Sequence, residues 1–200
     1  MKVVGLTGGI GTGKSAAAEL LVRRGLPVID ADEAARAVQA AGSEGLAELV
    51  KEFGTEILTG TGDLDRQALA ALAFGDPDRL ARLNAIVHPR VRAWMADRQR
   101  ELEERGQPVV VLSIPLLYEA RGVEGFSAVM VVYAPHATQL ERLVEQRGMT
   151  PADAEARIAA QLPIEEKRLL TPYVIDNSGP LGRLPAEVDR VWSQVAAGLA

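Results

Sequence analysis

The chain has no cysteine among its 200 residues. Disulfides and thiolate metal sites are therefore excluded, and the absence fits a cytoplasmic setting. No run of eighteen apolar residues occurs, so no membrane-spanning helix is expected. The first residues read directly as an apolar strand, leaving no room for a signal peptide. Lysine is scarce: of 22 basic residues only Lys2, Lys14, Lys51 and Lys167 are lysines. Genome composition or a hot habitat would each give that bias toward arginine. No strongly basic run stands out either. The densest stretch, Arg90 to Arg105, is diluted by Glu101, Glu103 and Glu104, and the net charge is −5. Chains built to hold a nucleic-acid backbone show a basic face, so neither nucleic acid nor membrane is expected as a partner. An anionic ligand must then be held by local groups against a mildly unfavourable overall field. There is no Asn-Lys pair, which removes the guanine-reading N-K-x-D of a GTPase switch. Internal repeats and low-complexity segments are also missing.

What is present starts with one loop, Gly8-Gly9-Ile10-Gly11-Thr12-Gly13-Lys14-Ser15. It follows the apolar run Val3-Val4-Gly5-Leu6, which reads as a buried strand. It precedes Ala16-Ala17-Ala18-Glu19-Leu20-Leu21, which reads as the start of a helix. G-x-x-x-x-G-K-[ST] is informative in that strand–loop–helix context. Glycines at 9, 11 and 13 let the backbone curl until several N–H groups, those of Thr12, Ser15 and Ala16 among them, converge. The positive end of the helix dipole then favours phosphate there. Lys14 is expected to reach the outer phosphates, and the Ser15 hydroxyl to sit on magnesium.

The rest of the chain reads as alternating strands and helices. The first helix should end near Arg24, with Gly25 as its stop. Val28-Ile29-Asp30 makes a second strand, and a strand–helix–strand unit implies a parallel sheet. Asp30-Ala31-Asp32 falls at the carboxyl end of that strand, where such sheets bind ligands. In an extended segment Asp30 and Asp32 would point the same way. One reading makes them a base for a substrate hydroxyl with an orienting neighbour. The other makes one of them the cap of a helix starting at Glu33. Glu33 to Arg105 reads as nearly all helix, with Asp63 capping a segment that buries Leu69, Leu72 and Phe74. Asp76-Pro77 is an N-cap with proline at the first helical position. Leu80, Leu83, Ile86 and Val87 form one stripe beyond it. His88-Pro89 should kink or end that helix, and His88 either faces a cleft or is a satisfied structural histidine.

Val109 to Ser113 is a continuous apolar run, as for a central strand buried on both faces. No aspartate closes it, so Ser113 or Glu119 is left to stand in for a Walker-B acid, unless Glu119 simply starts a helix. Ala128–Tyr133 and Tyr173–Asp176 are expected as the fourth and fifth strands. Between them lie two helices joined at Gly148-Met149, the second opened by Thr150-Pro151. Arg142, Arg147, Arg157 and Arg168 are scattered along them. They either neutralise a transferred phosphoryl group from a closing lid or pair with the acids beside them. Leu184 to Leu199 should be a closing helix.

Several of these stretches together resemble the dephospho-CoA kinase family. They are Gly5-Leu6-Thr7-Gly8-Gly9-Ile10-Gly11-Thr12-Gly13-Lys14-Ser15, Asp30-Ala31-Asp32, His88-Pro89, Pro115-Leu116-Leu117-Tyr118-Glu119 and Ile175-Asp176-Asn177-Ser178-Gly179. The resemblance implies an α/β fold of the P-loop NTPase, nucleotide-kinase-like kind, three-layered, with a five-stranded parallel sheet flanked by helices. It implies a core from residues 1–32, 106–134 and 171–200, a helical CoA-binding insertion at 33–105 and a lid at 135–170. The implied reaction is transfer of the ATP γ-phosphate, with magnesium, to the ribose 3′-hydroxyl of dephospho-CoA. On the same basis Asp32 is the base, Lys14 and Arg142 contact ATP phosphates, and Asn177 belongs to the adenine-side loop. His88 and Tyr118 lie on the substrate side. Departures are small: Thr12 where serine is usual, Ala16 where threonine is common, Tyr118 for phenylalanine, and Thr171-Pro172 for Ala-Asp.

Overall fold

The computed structural model describes residues 1–73, 75–120 and 122–199; the expected burial of Phe74 lies outside them. The chain forms two compact units, residues 1–29 with 102–200, and residues 30–101.

The first unit is built on a five-stranded sheet in the order β2-β3-β1-β4-β5. Its strands are β1 (Lys2–Gly8), β2 (Val28–Asp30), β3 (Val109–Ser113), β4 (Ala128–Tyr133) and β5 (Tyr173–Asp176). β1 runs parallel to both neighbours, with Val4 opposite Val111 on one side and Ala128 on the other. β4 pairs parallel with β5, Val132 opposite Ile175. The central strands are buried over Val4–Gly8, Val110–Ser113 and Val129–Val132. Parallel strands covered on both faces carry such unbroken apolar runs. The chain passes from β1 to β2 and β3 on one side, then crosses to β4 and β5 on the other, so the loop after β1 sits where the strand order reverses.

Two helices supply one packed layer. In α1 (Lys14–Arg23) the buried side chains include Ala17, Ala18 and Leu21. In α10 (Leu184–Leu199) they are Leu184, Val188, Val191 and Val195, spaced four, three and four apart. Both stripes join one cluster with Val4, Leu6, Val111, Met130, Val132 and Ile175. Each large side chain there contributes about 1.5–3 kcal/mol. α1 stops as expected: Gly25 has φ +80°, its N–H donates to Val22 and that of Leu26 to Leu21. This paired closure needs a residue that tolerates a left-handed backbone.

The second unit contains α2 (Ala31–Val38), α3 (Glu44–Phe53), α4 (Arg66–Ala73) and most of α5 (Pro77–Glu104). Its own cluster is Leu46, Leu49, Phe53, Ile57, Leu64, Leu69 and Val87, with Leu72, Leu83 and Ile86 against it. Asp30, Ser43, Asp65 and Asp76 each cap a helix by accepting backbone N–H bonds. Three expectations change here. α2 starts at Ala31 rather than Glu33. The cap of α4 is Asp65, which accepts from Gln67 and Ala68; Asp63 is instead held in a turn by Thr59 and Thr61. α5 runs on through Pro89. The Arg90 guanidinium, paired with Glu48, donates to the Ile86 carbonyl at 2.8 Å in the turn next to the bond that Pro89 cannot give to Ala85.

Candidate active site

The loop between β1 and α1 is held from beneath by its own side chains. Thr12 is buried, and both its N–H and its hydroxyl donate to the Gly9 carbonyl, at 3.2 and 2.8 Å. Gly11 and Gly13 have φ of +77° and +92°, where any other L residue is strained. Neighbours also leave no room for side chains. A Cβ on Gly9 would stand 2.7 Å from Gln139 Oε1, one on Gly11 2.9 Å from the Gln139 carbonyl, and one on Gly13 2.3 Å from Asn177 Nδ2. Gly13 caps α1 without any side-chain bond. The first amides of that helix, those of Ser15 and Ala16 among them, lie in the turn where an anion is favoured.

Lys14 is buried, and its ammonium donates to Ser113 Oγ at 2.6 Å. Ser113 therefore occupies the end of β3 as the lysine's partner. Glu119, in α6 (Leu117–Ala120), is committed elsewhere: its Oε1 lies 2.6 Å from Lys167 Nζ and accepts the Leu162 N–H at 3.1 Å. Ser15 is exposed in the first turn of α1.

Arg142 opens a single π turn, Arg142–Gln146, that continues α7 (His136–Glu141). Such turns recur at functional positions. Its guanidinium donates to the carbonyls of Gly11 (3.2 Å), Thr12 (3.4 Å) and Asn177 (2.9 Å). Asn177 is buried, and its Nδ2 donates to Thr12 O at 2.8 Å. The phosphate loop, the start of the π turn and the loop after β5 are thus tied at one place. Asp176 to Pro180 with Arg183, Leu184 and Glu187 line a cleft beside that tie.

Of the other arginines, Arg168 pairs with Glu165 at 2.8 Å and lies over the Tyr133 ring, 4.8 Å from its centre. Arg147 and Arg157 are exposed. Tyr118 is half-buried, and its hydroxyl has no hydrogen-bond partner among the described residues. Burial pushes its pKa up, so it is a neutral donor near pH 7.

Asp32 and His88 belong to the second unit. Asp30 accepts the Asp32 N–H at 2.7 Å and the Glu33 N–H at 3.2 Å. The i, i+2 argument for Asp30 and Asp32 fails, because helix begins at Ala31 and the two carboxylates are not on one extended segment. Capping falls to Asp30. Asp32 is exposed in the first turn of α2. His88 is exposed on α5, not enclosed in the packing of that unit.

Sequence reasoning missed Gln139, Gln161 and Lys167. Gln139 is buried and props the loop at Gly9 and Gly11. Gln161 Oε1 accepts the Ile10 N–H at 2.9 Å. A lone glutamine carries no pattern. Lys167 did carry one signal, as one of four lysines in an arginine-rich chain.

A phosphate loop after the first of five parallel strands, with its lysine held at the end of an adjacent strand, defines a P-loop kinase of the nucleotide-kinase kind. The dephospho-CoA kinase family model matches residues 2–182. A dephospho-CoA kinase from Anaeromyxobacter dehalogenans is 46% identical over 199 residues, 99% of this chain and 94% of the relative. A Thermus thermophilus protein of known crystal structure superposes with a TM-score of 0.83 at 37% identity, covering 100% of this chain and 98% of that one. The dephospho-CoA kinase of Campylobacter jejuni gives 0.72 at 25%, with both chains fully covered. The chain belongs to the dephospho-CoA kinase family.

Proposed function

We propose that this chain transfers the γ-phosphoryl group of ATP to the ribose 3′-hydroxyl of dephospho-CoA, giving coenzyme A and ADP, the last step of coenzyme A synthesis. One observation carries the nucleotide half of the reading. The loop of Gly8–Gly13 is closed in on from behind by Gln139 and Asn177, while Lys14 is held buried at the end of β3. Family membership carries the acceptor.

The acceptor oxygen forms a bond to the γ-phosphorus as the bond from that phosphorus to the β,γ-bridging oxygen breaks. The hydroxyl proton passes to the Asp32 carboxylate. Asp30 performs the capping, and the Asp32 carboxylate makes no hydrogen bond among the described residues, which leaves it available as a base. Lys14 and the loop amides hold the phosphates, and Arg142 braces the loop through the Gly11 and Thr12 carbonyls. Such catalysis is mostly positioning and electrostatics. The ion suited to this loop is magnesium, with Ser15 as its ligand from the chain. The exposed Ser15 hydroxyl in the first turn of α1 fits an ion that keeps several waters and takes its remaining oxygens from substrate phosphates. When bound, magnesium neutralises charge on those phosphates.

In this reading residues 33–105 bind the CoA side, with His88 and Tyr118 among the acceptor contacts. Residues 135–170 act as a lid, Asn177 serves the adenine side, and the enzyme works in the cytoplasm on small molecules. Among the described residues no helix is long and apolar enough to cross a membrane. A coupled assay of ADP release tests the function. Dephospho-CoA should support turnover at least about 10²-fold above shikimate, gluconate or nucleoside monophosphates, since a site that hydrogen-bonds its acceptor rejects others strongly. Equal rates with one of those acceptors would overturn it.

A further inference from the structure

Lys167 is fully buried at the end of α9 (Ile164–Lys167). Burying an ammonium costs several kcal/mol, and an apolar side chain of similar volume usually stabilises a core more. A carboxylate, Glu119, meets it at 2.6 Å. The same carboxylate oxygen accepts the Leu162 N–H at 3.1 Å. One oxygen thus holds both ends of the segment 162–167. The far end of that segment is fixed again: Tyr133 OH donates to Glu165 Oε1 at 2.7 Å, and Arg168 lies over the Tyr133 ring.

The residue before this pinned segment is Gln161, which leaves α8 (Pro151–Ala159). Its Oε1 accepts the Ile10 N–H at 2.9 Å, across 151 positions of sequence. That bond fixes the Gly9–Ile10 peptide, whose carbonyl receives both bonds from Thr12. The peptide the loop uses to close on itself is therefore set by Gln161, and Gln161 is set by the backbone bond at Leu162. Lys167 is the cation facing the carboxylate that accepts that bond, so removing it leaves the acceptor without its charge partner. Holding a loop in its binding shape raises affinity without new contacts to the ligand.

We propose that Glu119 and Lys167 are positioning residues that act through Gln161 on the phosphate loop and so set nucleotide affinity. The inference rests on the reading above that this loop binds ATP. It also explains why the acid following β3 is no stand-in for a Walker-B group: its carboxylate is already committed.

The test is a double-mutant cycle on the full chain, with Mg-ATP affinity from calorimetry and Tm from thermal melts. Gln161→Ala should raise the Kd for ATP about tenfold with little change in Tm, the scale of one lost hydrogen bond. Lys167→Met should raise Kd by a similar factor and lower Tm. Added to Gln161→Ala, it should raise Kd by no more than about twofold, because residues in one chain of contacts are not additive. Lys167→Arg should restore the affinity. Where Lys167→Met does not fold, Glu119→Gln in the same cycle reads the same coupling. A Kd unchanged in Gln161→Ala, or a Lys167→Met factor that multiplies in full on the Gln161→Ala background, overturns the proposal. A fall in Tm with Kd unchanged in Lys167→Met overturns it too. A wild-type chain that binds no ATP overturns the parent reading as well, which separates the two failures.

Discussion

Asn177 stands against the back of Gly13. Its amide nitrogen bonds the Thr12 carbonyl at 2.8 Å and lies 2.3 Å from where a Cβ on Gly13 would be. Gly13 also has φ +92°. Gly13→Ala should therefore meet backbone strain of about 1–3 kcal/mol plus a clash. The expected result is loss of measurable ATP binding by calorimetry and a lower Tm. Adding Asn177→Ala should recover part of the Tm by removing the clash, and the strain should keep the double variant below wild type.

The bond from Lys14 to Ser113 makes a graded prediction. Lys14→Met should lower kcat/KM by about 10²–10³-fold, the usual scale for removing one charge-stabilising donor. Ser113→Ala keeps the ammonium and loses only an orienting partner, so roughly tenfold is the expected ceiling. Steady-state assays with ATP varied check both. A Ser113→Ala effect as large as that of Lys14→Met would give the serine a direct part in the chemistry.

Asp32→Asn should lower kcat by about 10²–10⁴-fold, the range for a lost general base. The affinity for Mg-ATP should stay at the wild-type value, because this side chain lies outside the phosphate loop. Near-normal turnover with dephospho-CoA would remove Asp32 from the role of base.

Asp76 gives a prediction about acid stability. Backbone N–H bonds from Asp78 and Arg79 hold its carboxyl below the ordinary carboxylate range. The folded chain then binds this proton less tightly than the unfolded chain. The contribution to stability is present above the unfolded pKa of about 4 and is lost as pH falls through the folded value. Asparagine also caps well but does not titrate there. Thermal melts from pH 6.5 to pH 3 should show the advantage of wild type over Asp76→Asn shrinking as pH falls. An advantage independent of pH would show that the charge contributes nothing.

The apolar runs of β1, β3 and β4 made the sheet legible, because strands buried on both faces carry little else. Gly25, Thr150 and the Asp76-Pro77 pair marked helix ends through local rules that hold without tertiary context. Asp63 and Asp65 could not be separated that way, since both precede the same apolar segment and a turn decided between them. That α5 does not end at Pro89 was likewise outside the local rules. Proline removes one backbone bond from a long helix, and whether the rest of the helix carries on past it depends on surrounding packing that no spacing rule encodes. At the candidate site, the glycine-rich turn between β1 and α1 and the place of Lys14 and Ser15 at the start of that helix were legible from spacing alone. Gln139 and Gln161 were not, because their partners are more than a hundred residues away in sequence.

The sheet order has a consequence for how the protein is made. β1 is translated first, yet both of its neighbours in the sheet, β3 and β4, emerge more than a hundred residues later. At ribosomal speed that delay is on the order of ten seconds. During that time β1, buried over Val4–Gly8 in the finished sheet, waits without its neighbours, while residues 30–101 have all the pieces of their own cluster. Newly made protein is thus most open to aggregation before β4 clears the exit tunnel, and chaperone demand should fall once it does.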